Sequence, residues 1–117
     1  MKSGTDLVNE AKARINQINA TEALALHARG GTTFLDVRDL QEANLGKIPG
    51  AVHLSRGQLE GKIEGVLARD TPIVVYCASG NRSALAAVTL REMGYDKVSS
   101  LAGGFRGWAE AGGDIDG

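Results

Sequence analysis

The residues able to do covalent chemistry are concentrated in one short segment, Cys77-Ala78-Ser79-Gly80-Asn81-Arg82-Ser83. Cys77 is the only cysteine of the chain, and a cysteine becomes a strong nucleophile when nearby donors or cations stabilise its thiolate. Arg82 supplies a permanent positive charge on a planar fork of N–H donors. The residues between them are small or turn-prone, so their backbone N–H groups can converge on an anion. The spacing therefore indicates a nucleophilic cysteine in an anion-binding loop, with a buried structural cysteine as the alternative.

A strand and a helix are needed to hold this loop in place. Residues 73–76 form an unbroken apolar run rich in β-branched side chains, which is typical of a strand buried on both faces of a parallel sheet. Helix-forming residues resume from Ser83 to Met93, and the N-terminus of a helix adds free N–H groups and a partial positive charge. The sequence thus predicts a strand, tight loop and helix unit, with Cys77 at the carboxyl end of the strand.

The rest of the chain alternates between strand and helix patterns. Further strands are predicted at 15–18, 32–37, 51–54 and 98–101, and helices at 6–14, 20–29, 39–43, 58–68 and 105–111. Strands that alternate with helices predict an α/β fold with a mostly parallel sheet. A length of 117 residues suits one domain. We divide the chain into an accessory N-terminal helix (1–14), a single domain (15–113) and a frayed tail (114–117).

Two charged residues, Asp36 and Arg38, end the predicted strand at 32–37. Ligands of parallel α/β sheets bind beyond the carboxyl ends of the strands, so both residues should lie at the same edge as Cys77. In a functional interpretation, Asp36 accepts hydrogen bonds from nearby backbone or from Arg82, and Arg38 adds positive potential to the site. In a structural interpretation, Asp36 orders the adjacent loops and Arg38 pairs with Glu42.

Several motifs, taken together, resemble those of the rhodanese-like sulfurtransferases. In chain order they are Leu35-Asp36-Val37-Arg38, Gly46-Lys47-Ile48-Pro49-Gly50-Ala51, the segment from Cys77 to Ser83, and Leu101-Ala102-Gly103-Gly104-Phe105-Arg106-Gly107-Trp108. The resemblance covers most of the chain. Two positions depart from the family pattern, since Lys47 stands where many members have histidine and Ala43 where many have an aromatic residue. Trp108 is interpreted as a core anchor.

The resemblance implies a rhodanese-like fold, with a central five-stranded, mostly parallel sheet flanked by helices on both faces. It also implies that Cys77 takes a sulfane sulfur from a donor such as thiosulfate and carries it as a persulfide. A thiol, cyanide or a protein would then accept that sulfur. Arg82 would orient the donor, and no metal or organic cofactor would be needed. The backbone N–H groups that would bind the anionic sulfur are those of Ala78, Ser79, Gly80, Asn81, Arg82 and Ser83.

Two other functions remain open at this point. Related domains that act as phosphatases or arsenate reductases also place a cysteine and an arginine around a tetrahedral oxyanion, but those phosphatases have one more residue between the two. Other rhodanese-like domains are non-catalytic carriers or regulatory modules, often after loss of the cysteine. Cys77 and Arg82 are both present here, which favours an enzyme.

Composition and charge narrow the classes of partner. The formal net charge of -1 and the absence of a basic cluster argue against nucleic-acid binding. One cysteine excludes an internal disulfide, and two isolated histidines do not form a metal site. No apolar run reaches membrane-spanning length. We expect a cytoplasmic protein, because a reactive thiol suits a reducing compartment, and a monomer or weak dimer.

Overall fold

Five parallel strands form the centre of the computed structural model, which describes residues 1–117. The strands are β1 (Asn16–Ile18), β2 (Thr33–Asp36), β3 (Val52–His53), β4 (Ile73–Tyr76) and β5 (Val98–Leu101). Their order across the sheet is β1-β5-β4-β2-β3, and every neighbouring pair is parallel. β4 therefore lies in the middle, as its apolar sequence predicts, and the carboxyl ends of all five strands meet at one edge.

Helices cover both faces of this sheet, which confirms the predicted architecture. They are α1 (Gly4–Arg14), α2 (Ala20–Arg29), α3 (Leu40–Leu45), α4 (Leu59–Lys62), α5 (Asn81–Glu92) and α6 (Gly104–Glu110). Successive strand side chains point to opposite faces, so Val75 packs with Leu90 of α5 in one core. Val74 packs with Ala23 of α2 and Trp108 of α6 in the other. None of the helices combines the length and the apolar character that crossing a membrane requires.

The start of α2 follows the capping pattern expected from the sequence. The side chain of Asn19 accepts a hydrogen bond from the N–H of Glu22 at 2.8 Å, and the Glu22 carboxylate accepts one from the N–H of Asn19 at 3.1 Å. This reciprocal pair satisfies two N–H groups that a helix start otherwise leaves free. At the other end, the N–H of Gly30 donates to the carbonyl of Leu26, so the helix stops at the predicted glycine.

The predicted helix over 58–68 is not continuous. The structure has a 3₁₀ turn at Arg56–Gln58, the short α4 and a second 3₁₀ turn at Ile63–Gly65. Glycine lowers helix propensity, and Gly61 and Gly65 both fall in this segment. Leu59 and Ile63 are nevertheless fully buried in the core. One helical turn is enough to place these two side chains, so the fold does not require a longer helix.

The C-terminal residues 114–117 differ from the frayed tail expected from the sequence. The backbones of Lys47 and Asp116 exchange hydrogen bonds of 2.8 and 2.9 Å and form an antiparallel bridge. The indole N–H of Trp108 donates to the carbonyl of Asp114 at 2.8 Å. A buried tryptophan needs an acceptor for its N–H, and the tail supplies it. Hydrogen bonds to Lys47 and Trp108 therefore hold the C-terminal residues in place.

Candidate active site

The sulfur of Cys77 lies at the carboxyl end of β4, and the residue is 1% exposed. Two backbone N–H groups donate to the Sγ atom, that of Gly80 at 3.1 Å and that of Ser83 at 3.4 Å. The hydroxyl of Ser83 lies 3.6 Å from the same sulfur. Since α5 begins at Asn81, these N–H groups belong to the first turn and the loop before it, where helix geometry leaves them without an acceptor. They converge on Cys77 instead.

These donors alter the acidity of the thiol. Burial by itself raises the pKa of Cys77, because it disfavours the charged thiolate. Hydrogen bonds from the Ser83 hydroxyl and from the N–H groups of Ser83, Gly80 and Ser79 act in the opposite direction. Together they outweigh burial, so the pKa of Cys77 lies below its ordinary value. The loop therefore favours the nucleophilic form of the sulfur.

The start of α6 holds the carbonyl side of the loop. The N–H of Phe105 donates to the carbonyl of Cys77 at 2.8 Å, and the N–H of Arg106 donates to the carbonyl of Ala78 at 3.2 Å. Gly104 permits this approach, because a Cβ there would lie 2.5 Å from the Cys77 carbonyl oxygen and the φ angle is +57°. With its first carbonyls bonded to α6, the loop can direct its N–H groups to the sulfur.

The middle of the loop contributes backbone rather than side chains. Ser79 and Asn81 are exposed and Ala78 is half-buried, and the Ser79 and Asn81 side chains make no hydrogen bond within the protein. Gly80 has a φ of +103°, which other residues rarely adopt, and a Cβ there would lie 3.3 Å from the carbonyl oxygen of Leu101. The sharp turn that aims the Gly80 N–H at the sulfur thus depends on glycine.

Arg82 forms a two-pronged ion pair with Glu42 of α3. Its Nη1 donates to Oε1 at 2.9 Å and its Nη2 donates to Oε2 at 3.2 Å. The hydrogen bond from Arg82 holds the pKa of Glu42 below its usual range. The predicted contact between Arg82 and Asp36 is absent, and so is the alternative pairing of Glu42 with Arg38. These two pairings had the wrong acidic partner, whereas the other predicted contact of Asp36 is present: its Oδ1 accepts a hydrogen bond from the backbone N–H of Arg38 at 3.0 Å.

Asp36 and Arg38 instead bond to each other beneath the site. The Arg38 Nη2 donates to Asp36 Oδ2 at 2.7 Å, and both side chains are at most 5% exposed. Arg38 also donates to the carbonyl of Gly46 at 2.7 Å and lies over the ring of Phe105 at 4.4 Å. The pair therefore connects the end of β2 to the loop after α3 and to α6. The charge of Arg38 is neutralised by Asp36 rather than offered to a ligand.

Tyr76 completes this buried cluster. Burial, with the nearby charge of Asp36, raises the pKa of Tyr76, so its hydroxyl keeps its proton and donates to Asp36 at 2.9 Å. The same oxygen accepts a hydrogen bond from the N–H of Ile48 at 3.2 Å. At the position where many family members have histidine, Lys47 donates from Nζ to the carbonyl of Ala51. These contacts support the loop from Gly46 to Ala51.

Sequence reasoning missed two residues of the site. The sequence pattern predicts Glu42 only as a partner for Arg38, whereas the structure pairs its carboxylate with Arg82. Ser100 was not considered, yet its hydroxyl is fully buried and lies 2.9 Å from that of Ser83. The available signal was the pair of serines between Val98 and Leu101 in β5, because a serine that faces the core needs a hydrogen-bond partner.

Comparison with known protein families identifies the family to which this chain belongs. The family model described as the rhodanese-like domain matches residues 19–111. That range includes every strand except β1 and all the site residues described above. The chain therefore belongs to the rhodanese-like domain family.

Individual relatives agree with this assignment. The chain is 33% identical to the thiosulfate sulfurtransferase GlpE of Tolumonas auensis over 82% of its own length and 90% of that protein. It superimposes on the protein RPA3614 of Rhodopseudomonas palustris with a TM-score of 0.87 and 36% identity, over 99% of this chain and 96% of that one. RPA3614 is described as a protein of unknown function and a possible tyrosine phosphatase. The polysulfide-sulfur transferase homodimer of Wolinella succinogenes gives a TM-score of 0.80 and 34% identity, over 94% of this chain and 84% of that one.

Proposed function

We propose that this protein is a sulfurtransferase that carries sulfur on Cys77. In the first step, the Cys77 thiolate attacks the outer sulfur of a donor such as thiosulfate. A new S–S bond forms at the enzyme, the S–S bond of thiosulfate breaks, and sulfite leaves with the bonding electron pair. The enzyme keeps a persulfide that carries the negative charge. A thiol, cyanide or a protein acceptor then attacks the outer sulfur and regenerates the Cys77 thiolate.

The observation that carries this proposal is the set of donors around the Cys77 sulfur. The N–H groups of Gly80 and Ser83 and the hydroxyl of Ser83 stabilise a negative charge at that position. In a persulfide the outer sulfur lies one S–S bond, about 2 Å, from Sγ, where the N–H groups of the surrounding loop would stabilise its negative charge. The likeness to a thiosulfate sulfurtransferase at 33% identity supports the same chemistry.

Arg82 is proposed to bind the oxyanion end of the donor. A guanidinium can donate two parallel hydrogen bonds to the oxygens of such an anion. In the structure these N–H groups of Arg82 are directed to Glu42, so the sulfur donor must compete with that carboxylate or bind the remaining N–H groups. Arg82 and Glu42 side chains are 38% and 36% exposed, which leaves the pair accessible to a ligand.

The direct test is the mass of the intact protein after incubation with thiosulfate. We expect an increase of one sulfur atom in the native protein and its loss on addition of cyanide or a reducing thiol. Because Cys77 is the only cysteine, Cys77→Ser should gain no mass. The variant should also remain folded. An added sulfur that persists in Cys77→Ser would show that another group carries it.

A phosphatase is the second candidate, because RPA3614 is described as a possible tyrosine phosphatase. The size of the loop argues against it. Four residues separate Cys77 from Arg82, whereas the phosphatases related to this family have five. A phosphoryl group must place three oxygens against the N–H groups while its phosphorus meets the sulfur, and that requires a wider loop.

Loop length can be tested by inserting one glycine after Gly80. We expect the native protein to transfer sulfur and to show negligible hydrolysis of an aryl phosphate, and the insertion to weaken sulfur transfer. The ratio of the two activities in both proteins is the measurement. Efficient phosphate hydrolysis by the native protein, together with no persulfide, would replace the sulfurtransferase assignment with the phosphatase.

Residues 15–113 would act as the single catalytic domain, with the helix in residues 1–14 as an accessory element packed along α5. The cycle above uses a small-molecule sulfur donor and requires neither a metal nor an organic cofactor. A reducing compartment such as the cytoplasm would keep Cys77 available.

A further inference from the structure

Behind the Cys77 sulfur lies a row of two buried hydroxyl groups. The Oγ of Ser83 is 3.6 Å from Cys77 Sγ on one side and 2.9 Å from the Oγ of Ser100 on the other. Ser83 and Ser100 are both fully buried. Ser100 reaches this position because β5 pairs with β4 in a register that sets it beside Val75, whose side chain faces α5.

The two hydroxyl hydrogens can be arranged in either direction along this row. If Ser83 donates to Ser100, the hydrogen of Ser100 has no acceptor, because Ser83 is the only hydrogen-bond partner of that hydroxyl. If Ser100 donates to Ser83, the hydrogen of Ser83 is left for the Cys77 sulfur, which is a good acceptor as a thiolate. A buried donor without a partner carries a desolvation penalty. The second direction is therefore the stable one when the sulfur is ionised.

We infer that Ser100 is a positioning residue that donates to Ser83 and thereby directs the Ser83 hydroxyl hydrogen at the sulfur of Cys77. Ser100 does not touch the sulfur, and its whole effect passes through Ser83. Donation from Ser100 also polarises the Ser83 hydroxyl and strengthens the bond that it makes. The inference refines the proposed function, because the thiolate is the nucleophile of the sulfur-transfer step.

Other ionisable groups around Cys77 do not depend on Ser100. They are Arg82 on α5, Glu42 on α3, Arg106 on α6 and Tyr76 on β4. The positive charge of Arg82 acts on the thiolate, and Glu42 pairs with it. Tyr76 belongs to the core on the opposite face, Arg106 is exposed, and β5 carries no ionisable side chain. Replacing Ser100 leaves all four in place.

The test measures ionisation of Cys77 through its rate of alkylation by iodoacetamide as a function of pH, with no sulfur donor present. A single cysteine makes the signal unambiguous. We expect Ser100→Ala to raise the pH midpoint and to slow alkylation about two- to fivefold below it, since one cooperative hydrogen bond is lost. At a pH above both midpoints the rates should be equal. Ser100→Thr keeps the hydroxyl and should retain the native midpoint.

A double-substitution cycle separates this role from simple packing. In a Ser83→Ala background, Ser100→Ala should cause no further change, because the path to the sulfur is already broken. Ser99→Ala is the matched control: Ser99 is the neighbouring strand residue, its hydroxyl accepts from Asn16, and its loss should not move the midpoint. Circular dichroism confirms that each variant is folded.

Two outcomes would overturn the inference. One is a native midpoint in Ser100→Ala, and the other is an equal shift on adding Ser100→Ala to native protein and to Ser83→Ala. The proposed function is judged separately by the mass experiment with thiosulfate. A protein that shows the expected cycle in alkylation but gains no sulfur would refute sulfur transfer and leave the role of Ser100 intact.

Discussion

At the scale of single residues, the groups that contact the Cys77 sulfur are separate from Arg82, which we propose binds the donor. Gly80 and Ser83 direct their N–H groups at Cys77 Sγ, whereas Arg82 is turned toward Glu42. An arginine held by a carboxylate keeps its position in the absence of substrate but is partly neutralised. Glu42 is therefore expected to set how strongly the site attracts an anionic donor.

The change Glu42→Gln tests this expectation. It removes the competing charge while keeping a side chain of the same shape, so Arg82 is free to bind the donor. Solvent screening limits an exposed ion pair to about 0–1 kcal/mol, so we expect the KM for thiosulfate to fall up to about fivefold, with little change in kcat. Steady-state kinetics with thiosulfate and cyanide is the measurement.

The control for Glu42→Gln is Arg82→Lys. A lysine keeps the charge but loses the planar fork, so this variant should raise the KM even though the site remains cationic. A KM for Glu42→Gln that is equal to or higher than that of the native protein would mean that Glu42 orients Arg82 rather than competing with the donor.

At the scale of elements, the loop is held between α5 and α6. The first turn of α5 supplies N–H groups to the sulfur, while the start of α6 binds the carbonyls of Cys77 and Ala78. The close contact between α6 and the loop leaves no room for a side chain at Gly104. Gly104 is thus explained by the approach of one backbone to another, whereas Gly103 has room for a Cβ and a φ of +79° that favours glycine.

The change Gly104→Ala should disable the site. Its Cβ would lie 2.6 Å from the carbonyl carbon and oxygen of Ala78 as well as close to Cys77, so the loop or α6 must move. Overpacking of this kind costs about 1–3 kcal/mol, and the displaced loop should lose its N–H donors. We expect a lower free energy of unfolding in urea and a large loss of sulfur transfer.

Gly107→Ala is the matched control within the same helix. A Cβ there would meet only the carbonyl oxygen of Ala102 at 3.9 Å, which is an ordinary contact, and alanine favours a helix more than glycine does. Stability should stay the same or rise, and activity should be retained. Equal losses of stability and activity in both variants would show that α6 tolerates no substitution. That result would contradict a specific role for Gly104.

At the scale of the whole molecule, two cores on opposite faces of one sheet hold the strand ends together at the site. The buried cluster of Asp36, Arg38 and Tyr76 joins β2, β4 and α6 at that edge. A buried ion pair adds little net stability by itself, but loss of one partner leaves the other charge buried and uncompensated. The cluster is therefore expected to matter for folding more than for donor binding.

The change Asp36→Asn leaves the charge of Arg38 buried without its partner. Breaking a buried pair in this way costs about 3–5 kcal/mol, a large part of the roughly 5–15 kcal/mol that stabilises a typical domain. Urea unfolding should show this loss, and Asp70→Asn, at an exposed position, should show none. A fully stable Asp36→Asn that has lost thiosulfate binding would instead assign Asp36 to the site.

Local sequence patterns were sufficient to predict most of the elements and the position of Cys77 at the carboxyl end of β4. The apolar run of β4, the turn residues after Cys77 and the capping box at Asn19 each depend on neighbours along the chain, so the structure follows them closely. The helix at 58–68 was mispredicted because its apolar spacing was satisfied by short turns around Leu59 and Ile63. In that segment, burial of side chains outweighed regular helix geometry.

Only the tertiary structure decided which polar groups meet. Arg82 and Glu42 are 40 positions apart, and Ser83 and Ser100 are 17 apart; neither pairing follows from a local pattern. Strand order and register bring each pair together. Asp36 and Arg38 are close in sequence, yet their pairing depends on the burial that excludes water and other partners. The sequence by itself thus determined where Cys77 and its loop lie, whereas the long-range packing of β5, α3 and α6 determined which groups contact them, because hydrogen bonds form between neighbours in space.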